Sequence, residues 1–516
     1  MNTPNRRQAL GAGLSLTALA GLSACGGGAA AGDISAGEPV RGGTLRVGVT
    51  GGNSADTVDA HIPVNSGDVA RTVNLYNSLL TRTDDYKIQP ELAESFEPNG
   101  DATVWTATLR PGIKFSDGRD ITPDDVVFTF ERINDPDDPK TAAASFTMLD
   151  EVVATGDRTV EFRLSEPNGL LDDSVSEYTT GIVPRDYDPA APVGSGPYKL
   201  GSHTAAVSTV LERNEYYWRT DGNWLDAVHL LNFNDSDALI NALLSSQVDA
   251  IAQIPLALVE VIGADERMAI LNSETGMWLP FTMRVDRPPF DDVRVRQAFR
   301  LVVDREQMIE QVLSGYGTIG NDMFGPLSEN YPDFPQRTRD VEQARQLLAE
   351  AGHPDGLDVE LVTAPIQSGV VEAAQVFAQQ AADAGIRVSI RRVDATTFFG
   401  ENYLQWDFAQ DFWYTRDFLP QCVSCVMPES PFNETHWDDP NFTSIVEEAR
   451  SLPDPAARRN LEHEAQKILY DNGGYIIWGF ANQVDAYQKY VGGLEPNATG
   501  RPLGGWRFDR VWIGKV

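Results

Sequence analysis

Two kinds of apolar spacing alternate along this chain. Residues 42–49 (GGTLRVGV) place apolar side chains at every second position, the spacing of a half-buried strand. Residues 68–80 then repeat apolar positions every three or four, which predicts a helix. Residues 104–109 return to alternation and stop at Pro111-Gly112. Thr122-Pro123-Asp124-Asp125 is a helix start: Thr122 can cap, Pro123 suits the first position, and the two acids meet the positive end of the helix dipole. Val126, Val127, Phe130 and Ile133 would face inward from it. Residues 152–154 and 159–164 read as a hairpin around Gly156-Asp157. Gly194-Ser195-Gly196-Pro197-Tyr198 breaks the pattern and marks a candidate domain crossing.

The second half repeats the alternation. Helices are expected over 237–247, over 292–314 in two pieces around Asp304, and over 340–351. The last has a capping pair, Asp340 and Gln343, and a Gly352 stop. Strands are expected over 248–251, 359–363, 387–392, 408–412 and 476–480. Helices are expected over 370–384, 398–403, 443–451 and 455–471. Strands interleaved with helices imply an α/β fold, and no repeat of 20–50 residues is present.

Composition narrows the class. At 516 residues the chain has room for two to four domains, and its 42% hydrophobic content can fill a sizeable core. No apolar run reaches 18 residues, so a polytopic membrane protein is excluded. The balance is 41 basic residues against 75 acidic, a formal charge of −34. Such a chain is repelled by phosphate, which excludes nucleic acid as a partner.

Residues 1–24 read as an export signal peptide. Arg6 and Arg7 are followed by an apolar stretch too short and too diluted by glycine to anchor. The Asn5–Leu10 start resembles a twin-arginine signal without the usual aromatic, so general secretion stays open as the route. Leu22-Ser23-Ala24-Cys25 resembles a bacterial lipobox, which implies cleavage before Cys25 and lipidation of its thiol. Residues 25–41 are small and flexible, a lipid-anchored tether for a body that works at the outer face of the cytoplasmic membrane.

The chemistry of catalysis is missing. Six histidines make no H-E-x-x-H; Lys467 stands where His463-Glu464 would need the second histidine. Gly194-Ser195-Gly196 lacks the spacing of a nucleophile elbow. Gly315–Gly320 matches G-x-G-x-x-G but follows a helix, and is expected to be a loop. Cys422 and Cys425 could hold a metal, do redox chemistry or form a disulfide. With one pair and one nearby His436, zinc lacks ligands. Export and the flanking Pro420 and Pro428 favour a structural disulfide in a loop. No metal, no cofactor and no catalytic group is expected. Aromatics cluster at 403–418, and Trp413 and Tyr414 lie at a strand end leading into a long loop, where α/β sheets place ligands.

The chain resembles the family 5 extracellular solute-binding proteins of ABC importers, the dipeptide, oligopeptide and nickel group. The resemblance covers residues 42–485. It rests on Gly42–Val47 with Asp56-Thr57-Val58-Asp59, on 90–95 (PELAES), on Thr103-Val104-Trp105 and on 109–118 (LRPGIKFSDG). Asp124–Phe128, Gly194–Tyr198, 289–299 (PFDDVRVRQAF) and Val303–Glu306 complete it in order. The resemblance implies a two-lobed clamp of periplasmic-binding-protein type with an inserted domain. Domain I would comprise 42–75, 195–285 and 485–516, domain II 76–194, and domain III 286–484. It further implies a monomeric receptor that closes on a small-molecule or peptide ligand and docks on membrane permease subunits.

Ligand identity is where the chain departs from its relatives. In the dipeptide-binding branch, V-T-R-P supplies an arginine for the peptide carboxylate. Here Val362-Thr363-Ala364-Pro365 lacks it. The branch's aspartate, three residues after a tryptophan, corresponds to Arg416 counting from Trp413, with Asp417 one step later. Longer peptides or oligosaccharides fit this better than dipeptides, and sparse histidines argue against nickel. The expected cleft wall is Trp406, Trp413, Tyr414, Arg416 and Asp417, with Arg416 and Asp417 exposed to ligand. A secreted hydrolase is the rival class.

Overall fold

The computed structural model describes residues 35–514. The expected signal peptide 1–24, Cys25 and the start of the tether lie outside the described residues.

The largest sheet has eight strands. Thr44–Thr50 lies inside it, with Leu45, Val47 and Val49 buried as their alternation requires. It pairs in parallel with Ala227–Phe233 on one side and Ala250–Ile251 on the other. Ser208–Arg213 and Tyr198–Thr204 extend one edge. Gly479–Gln488 and Met268–Trp278 extend the other. Gly194 and Gly196 bring the chain to this sheet against the end of helix Ser66–Leu75. A Cβ would sit 2.0 Å from Leu75 O at Gly194 and 2.4 Å from Asn74 O at Gly196, so only glycine fits.

A second sheet, antiparallel and four-stranded, runs in the order Ala93–Pro98, Val104–Leu109, Thr159–Leu164, Leu149–Ala154. The helix Pro123–Ile133 covers it, and Phe130 meets Phe162 edge-on at 4.8 Å. Asp125 Oδ2 accepts from both the backbone N–H and the hydroxyl of Thr122 at 2.8 and 2.7 Å, fixing the helix start.

A third core is built on Phe281, Phe290, Phe299, Phe377 and Phe408, all buried. The parallel pair Leu357–Thr363 and Ile386–Arg392 and the triplet Phe408–Gln410, Phe281–Met283, Tyr475–Ile476 supply its strands. The helices Val293–Leu301, Arg305–Leu313, Val341–Glu350 and Val370–Ala382 supply the rest. Asp304 Oδ1 accepts from Gln307 N at 3.0 Å, which separates the first two helices where the sequence placed the break. The first and third cores are joined by two long strands side by side. Met268–Trp278 pairs with Gly479–Gln488 from Met268 opposite Gln488 to Trp278 opposite Phe480, with a register shift between Ser273 and Met277.

Several expectations are corrected. The segment around the cysteines is a helix, Phe418–Cys425, not a loop. Pro420 is tolerated because it falls in the first turn, whose N–H groups have no helical acceptor. Cys422 and Cys425 are both buried and free, one helical turn apart, so the expected disulfide is absent. The Cys425 thiol instead lies against its own helix, with Gln421 Nε2 donating to Sγ at 3.1 Å. Gly317–Ile319 inside the glycine motif is a strand on Gly479–Gln488, not a loop. The helix expected over 398–403 is Ala395–Phe398, and the strand expected over 476–480 is two, Tyr475–Ile476 and Gly479–Gln488.

Candidate functional site

Trp413 follows the strand Phe408–Gln410 and pairs with Trp278 at the end of Met268–Trp278. Trp413 N donates to Trp278 O at 2.9 Å and Trp278 N returns a bond at 3.0 Å. The indoles stack at 6.2 Å and 22°, and Trp278 stacks in turn on Phe324. The Trp413 indole N–H donates to Glu434 Oε1 at 3.2 Å, and Tyr475 OH meets the other oxygen of that carboxyl. Burial, and then the neighbouring Asp411 carboxylate, push Glu434 well above the ordinary carboxylate range. Asp411 is raised by burial too, and it accepts from Tyr403 OH at 2.9 Å. Trp413 is therefore the lid of a polar core. Only 7% of its surface is exposed, and its expected role as an open ligand platform is corrected.

Tyr414 is the exposed aromatic, with 48% of its surface free. Burial nevertheless raises its phenol above the usual value. The Arg416 guanidinium lies 5.5 Å from the centre of the Trp413 ring.

Asp417 does not pair with Arg416. Its Oδ2 stands 3.1 Å from Arg82 Nη1, and the other end of that guanidinium pairs with Asp173. Arg82 is buried and lies 4.2 Å over the Tyr86 ring. Tyr86 OH donates to Thr415 O at 2.8 Å, a second tie from the same strand end. The pairing follows from burial: a buried guanidinium needs carboxylates close by, and Arg82 has two. The expected free charge of each sign is thus reduced to one, on Arg416.

Thr415 is the junction. Its hydroxyl donates to Ala498 O at 2.9 Å and accepts from Gly276 N at 2.9 Å. Four separate stretches, around 82–86, 276–278, 413–417 and 497–501, therefore meet here. Trp406 is not among them. It stacks on Phe398 at 6.2 Å, donates to Phe398 O and lies under Arg391, part of a separate small core with Val362 and Ala364. Sequence reasoning missed Arg82 and Tyr86 at this place, and also Arg501, whose guanidinium lies 5.4 Å from the centre of the Tyr178 ring. Each is an isolated residue with no local motif. Among the described residues no group of three or more His, Cys, Asp or Glu is placed to hold a metal ion.

Residues 87–422 match the family model described as bacterial extracellular solute-binding proteins, family 5. The glutathione-binding protein GsiB of Pectobacterium atrosepticum is 25% identical over 473 residues, covering 86% of this chain and 89% of its own. The periplasmic binding protein AgaA of A. tumefaciens R10, solved with agropinic acid, is 25% identical and superposes with a TM-score of 0.75. The match covers 92% of this chain and 99% of AgaA. The oligopeptide-binding protein AppA of Bacillus subtilis, solved with a nonapeptide, is 22% identical with a TM-score of 0.74, over 93% of this chain and 100% of AppA. The likeness to AppA is one of fold.

Proposed function

Since this chain belongs to family 5 of the bacterial extracellular solute-binding proteins, we propose that it captures a peptide, of oligopeptide rather than dipeptide type, in a cleft walled by Tyr414 and Arg416 and delivers it to a membrane permease. The chain is the substrate-binding protein of an ABC importer and not an enzyme. The observation that carries the peptide reading is the junction at Thr415, where four distant stretches meet beside an accessible aromatic and the Arg416 guanidinium, which has no ion pair among the described residues. A tyrosine face accepts varied side chains, and a guanidinium accepts carboxylate or backbone carbonyl oxygens. That relatives are named for glutathione and solved with a nonapeptide agrees with this reading.

In this reading the eight-stranded sheet is domain I, the four-stranded sheet is the inserted domain II, and the phenylalanine-rich core is domain III. The two long strands Met268–Trp278 and Gly479–Gln488 are the hinge. Their register shift between Ser273 and Met277 relaxes the ladder where bending is needed. The chain is exported and works as a monomer. Cys25 carries lipid, and the tether holds the receptor at the outer face of the membrane near its permease.

Mass spectrometry of solutes released when the protein, isolated from its own cells, is denatured tests the ligand class. Peptides of three or more residues are expected. Sugars or free metal in stoichiometric amount would overturn the peptide assignment.

A further inference from the structure

A hairpin of the second core bonds to both of the others. Its strands Leu80–Arg82 and Ile88–Pro90 pair antiparallel, and Leu79, Leu80 and Leu92 are buried in the second core. Toward the first core, Ala498 N donates to Asp84 O at 2.8 Å and Asn497 Nδ2 donates to Asp84 Oδ1 at 2.8 Å. Arg510 pairs with the other oxygen of that carboxylate. Leu494, Leu503 and Trp506 seat this stretch in the first core. Toward the third core, Tyr86 OH donates to Thr415 O at 2.8 Å and Arg82 Nη1 donates to Asp417 Oδ2 at 3.1 Å. Trp413 and Phe418 bury the flanks of that segment in an aromatic cluster. The cluster shares the strand Tyr475–Ile476 with the phenylalanine-rich core, Tyr475 belonging to one and Ile476 to the other.

Asp84 and Tyr86 stand in one turn, so the first and third cores are held across a few atoms of chain. The turn is strained to do this. Tyr86 has a φ of +69°, a left-handed conformation that bulky side chains avoid. Such a conformation persists only where the surrounding contacts outweigh its cost. Here Tyr86 N donates to Thr83 O at 3.0 Å, and Arg82 Nη1 donates to Tyr86 O at 3.0 Å. The Tyr86 ring is buried beneath the Arg82 guanidinium, and its hydroxyl reaches the third core. The second core touches the aromatic cluster again at Gly169, whose N–H donates to Arg450 O at 2.6 Å on the helix Pro440–Ser451.

We infer that the hairpin 80–90 is a clasp between the lobes, in which Asp84 grips the first core and Tyr86 with Arg82 grips the third. The third core cannot swing about the two long strands until the bonds on one side of the hairpin break. Two of those bonds join charged groups in partly buried surroundings, and such bonds are the stronger ones. Asp84 and Tyr86 are therefore positioning residues. They act on the solute through the angle at which they hold the wall at Tyr414 and Arg416. The inserted sheet thus sets how readily the clamp opens. This inference rests on the reading that Met268–Trp278 and Gly479–Gln488 are the hinge.

The test is small-angle X-ray scattering and amide hydrogen exchange on the dialysed protein, with no solute added. One variant combines Tyr86→Phe with Asp417→Asn, which releases the third core and leaves Asp173 on Arg82. The other is Asp84→Ala, which releases the first. Lys87→Gln, an exposed change in the same turn, is the control and matches wild type. Both clasp variants are expected to have a larger radius of gyration than wild type. Their amides in 268–278 and 479–488 exchange about tenfold faster or more, as expected for losing bonds to charged groups. Amides of Val104–Leu109 and Thr159–Leu164 in the second core keep their wild-type rates, which a general loss of stability would not allow. A larger radius with unchanged exchange in the two long strands would keep the clasp and overturn their assignment as the hinge. Unchanged radius and exchange in both variants would overturn the clasp. Faster exchange spread evenly over all three cores would overturn it too, leaving the hairpin a structural support.

Discussion

Asp417 and Arg82 stand 3.1 Å apart, 335 positions from each other in the chain, and their ion pair ties the segment after Trp413 to the strand Leu80–Arg82. Arg82 also holds Asp173, so one buried cation serves two carboxylates. Arg82→Ala leaves both carboxylates without their cation and is expected to lower unfolding free energy by about 3–5 kcal/mol. Asp417→Ala costs less, because Asp173 still pairs with Arg82. Urea unfolding of the two variants measures the difference, and equal losses would argue against a shared cation.

Trp413 and Tyr414 are neighbours with opposite duties. Trp413→Ala removes a buried indole stacked on Trp278 and the donor to Glu434, and is expected to cost about 3–5 kcal/mol of stability. Tyr414→Ala removes an exposed ring and is expected to change stability by no more than about 0.5 kcal/mol. It should weaken ligand binding by about 1–2 kcal/mol. Thermal unfolding and calorimetry on both variants separate the roles.

His61 gives a pH prediction. It is fully buried, its Nε2–H donates to Gly181 O at 2.9 Å, and Nδ1 accepts from Arg132 at 2.5 Å. Burial holds its pKa down to about 4. The unfolded chain therefore binds the proton first as pH falls. The stability from neutral His61 is complete above pH ~6.5 and is lost as pH falls from there to about 4, a loss of about 3 kcal/mol. In His61→Asn this part of the pH dependence disappears. A proton NMR titration placing the His61 midpoint near 6.5 would contradict the assignment.

The cysteine pair gives a chemical one. Cys422 and Cys425 are buried, and burial raises both thiols above their usual range. Iodoacetamide should leave both unmodified in the native protein and modify both after unfolding without reductant. Peptide mapping of 418–439 reads this directly, and a disulfide-linked peptide would restore the expectation drawn from sequence.

Much of the fold was legible because its signals are local. The cap at Thr122, the break at Asp304 and the Asp340 start each lie within four residues of their partners. Met268–Trp278 escaped because 272–276 (NSETG) looks like a loop, yet Ser273 and Thr275 are buried in the strand. The helix Phe418–Cys425 escaped because Pro420 looked like a breaker and sits where a breaker is harmless. At the site, the aromatic segment was legible as a strand end. The partner of Asp417 was not, because it depends on Arg82 far away in sequence. Arg501 was not, because its place over the Tyr178 ring joins positions far apart in sequence.

On the proposed function, the chain binds a peptide without altering it. Native mass spectrometry of the purified protein, after incubation with a mixture of three- to nine-residue peptides, tests this most directly. A one-to-one complex is expected, one that releases intact peptide on denaturation and weakens in Arg416→Gln. Absence of any complex, or release of shortened peptides, would contradict it.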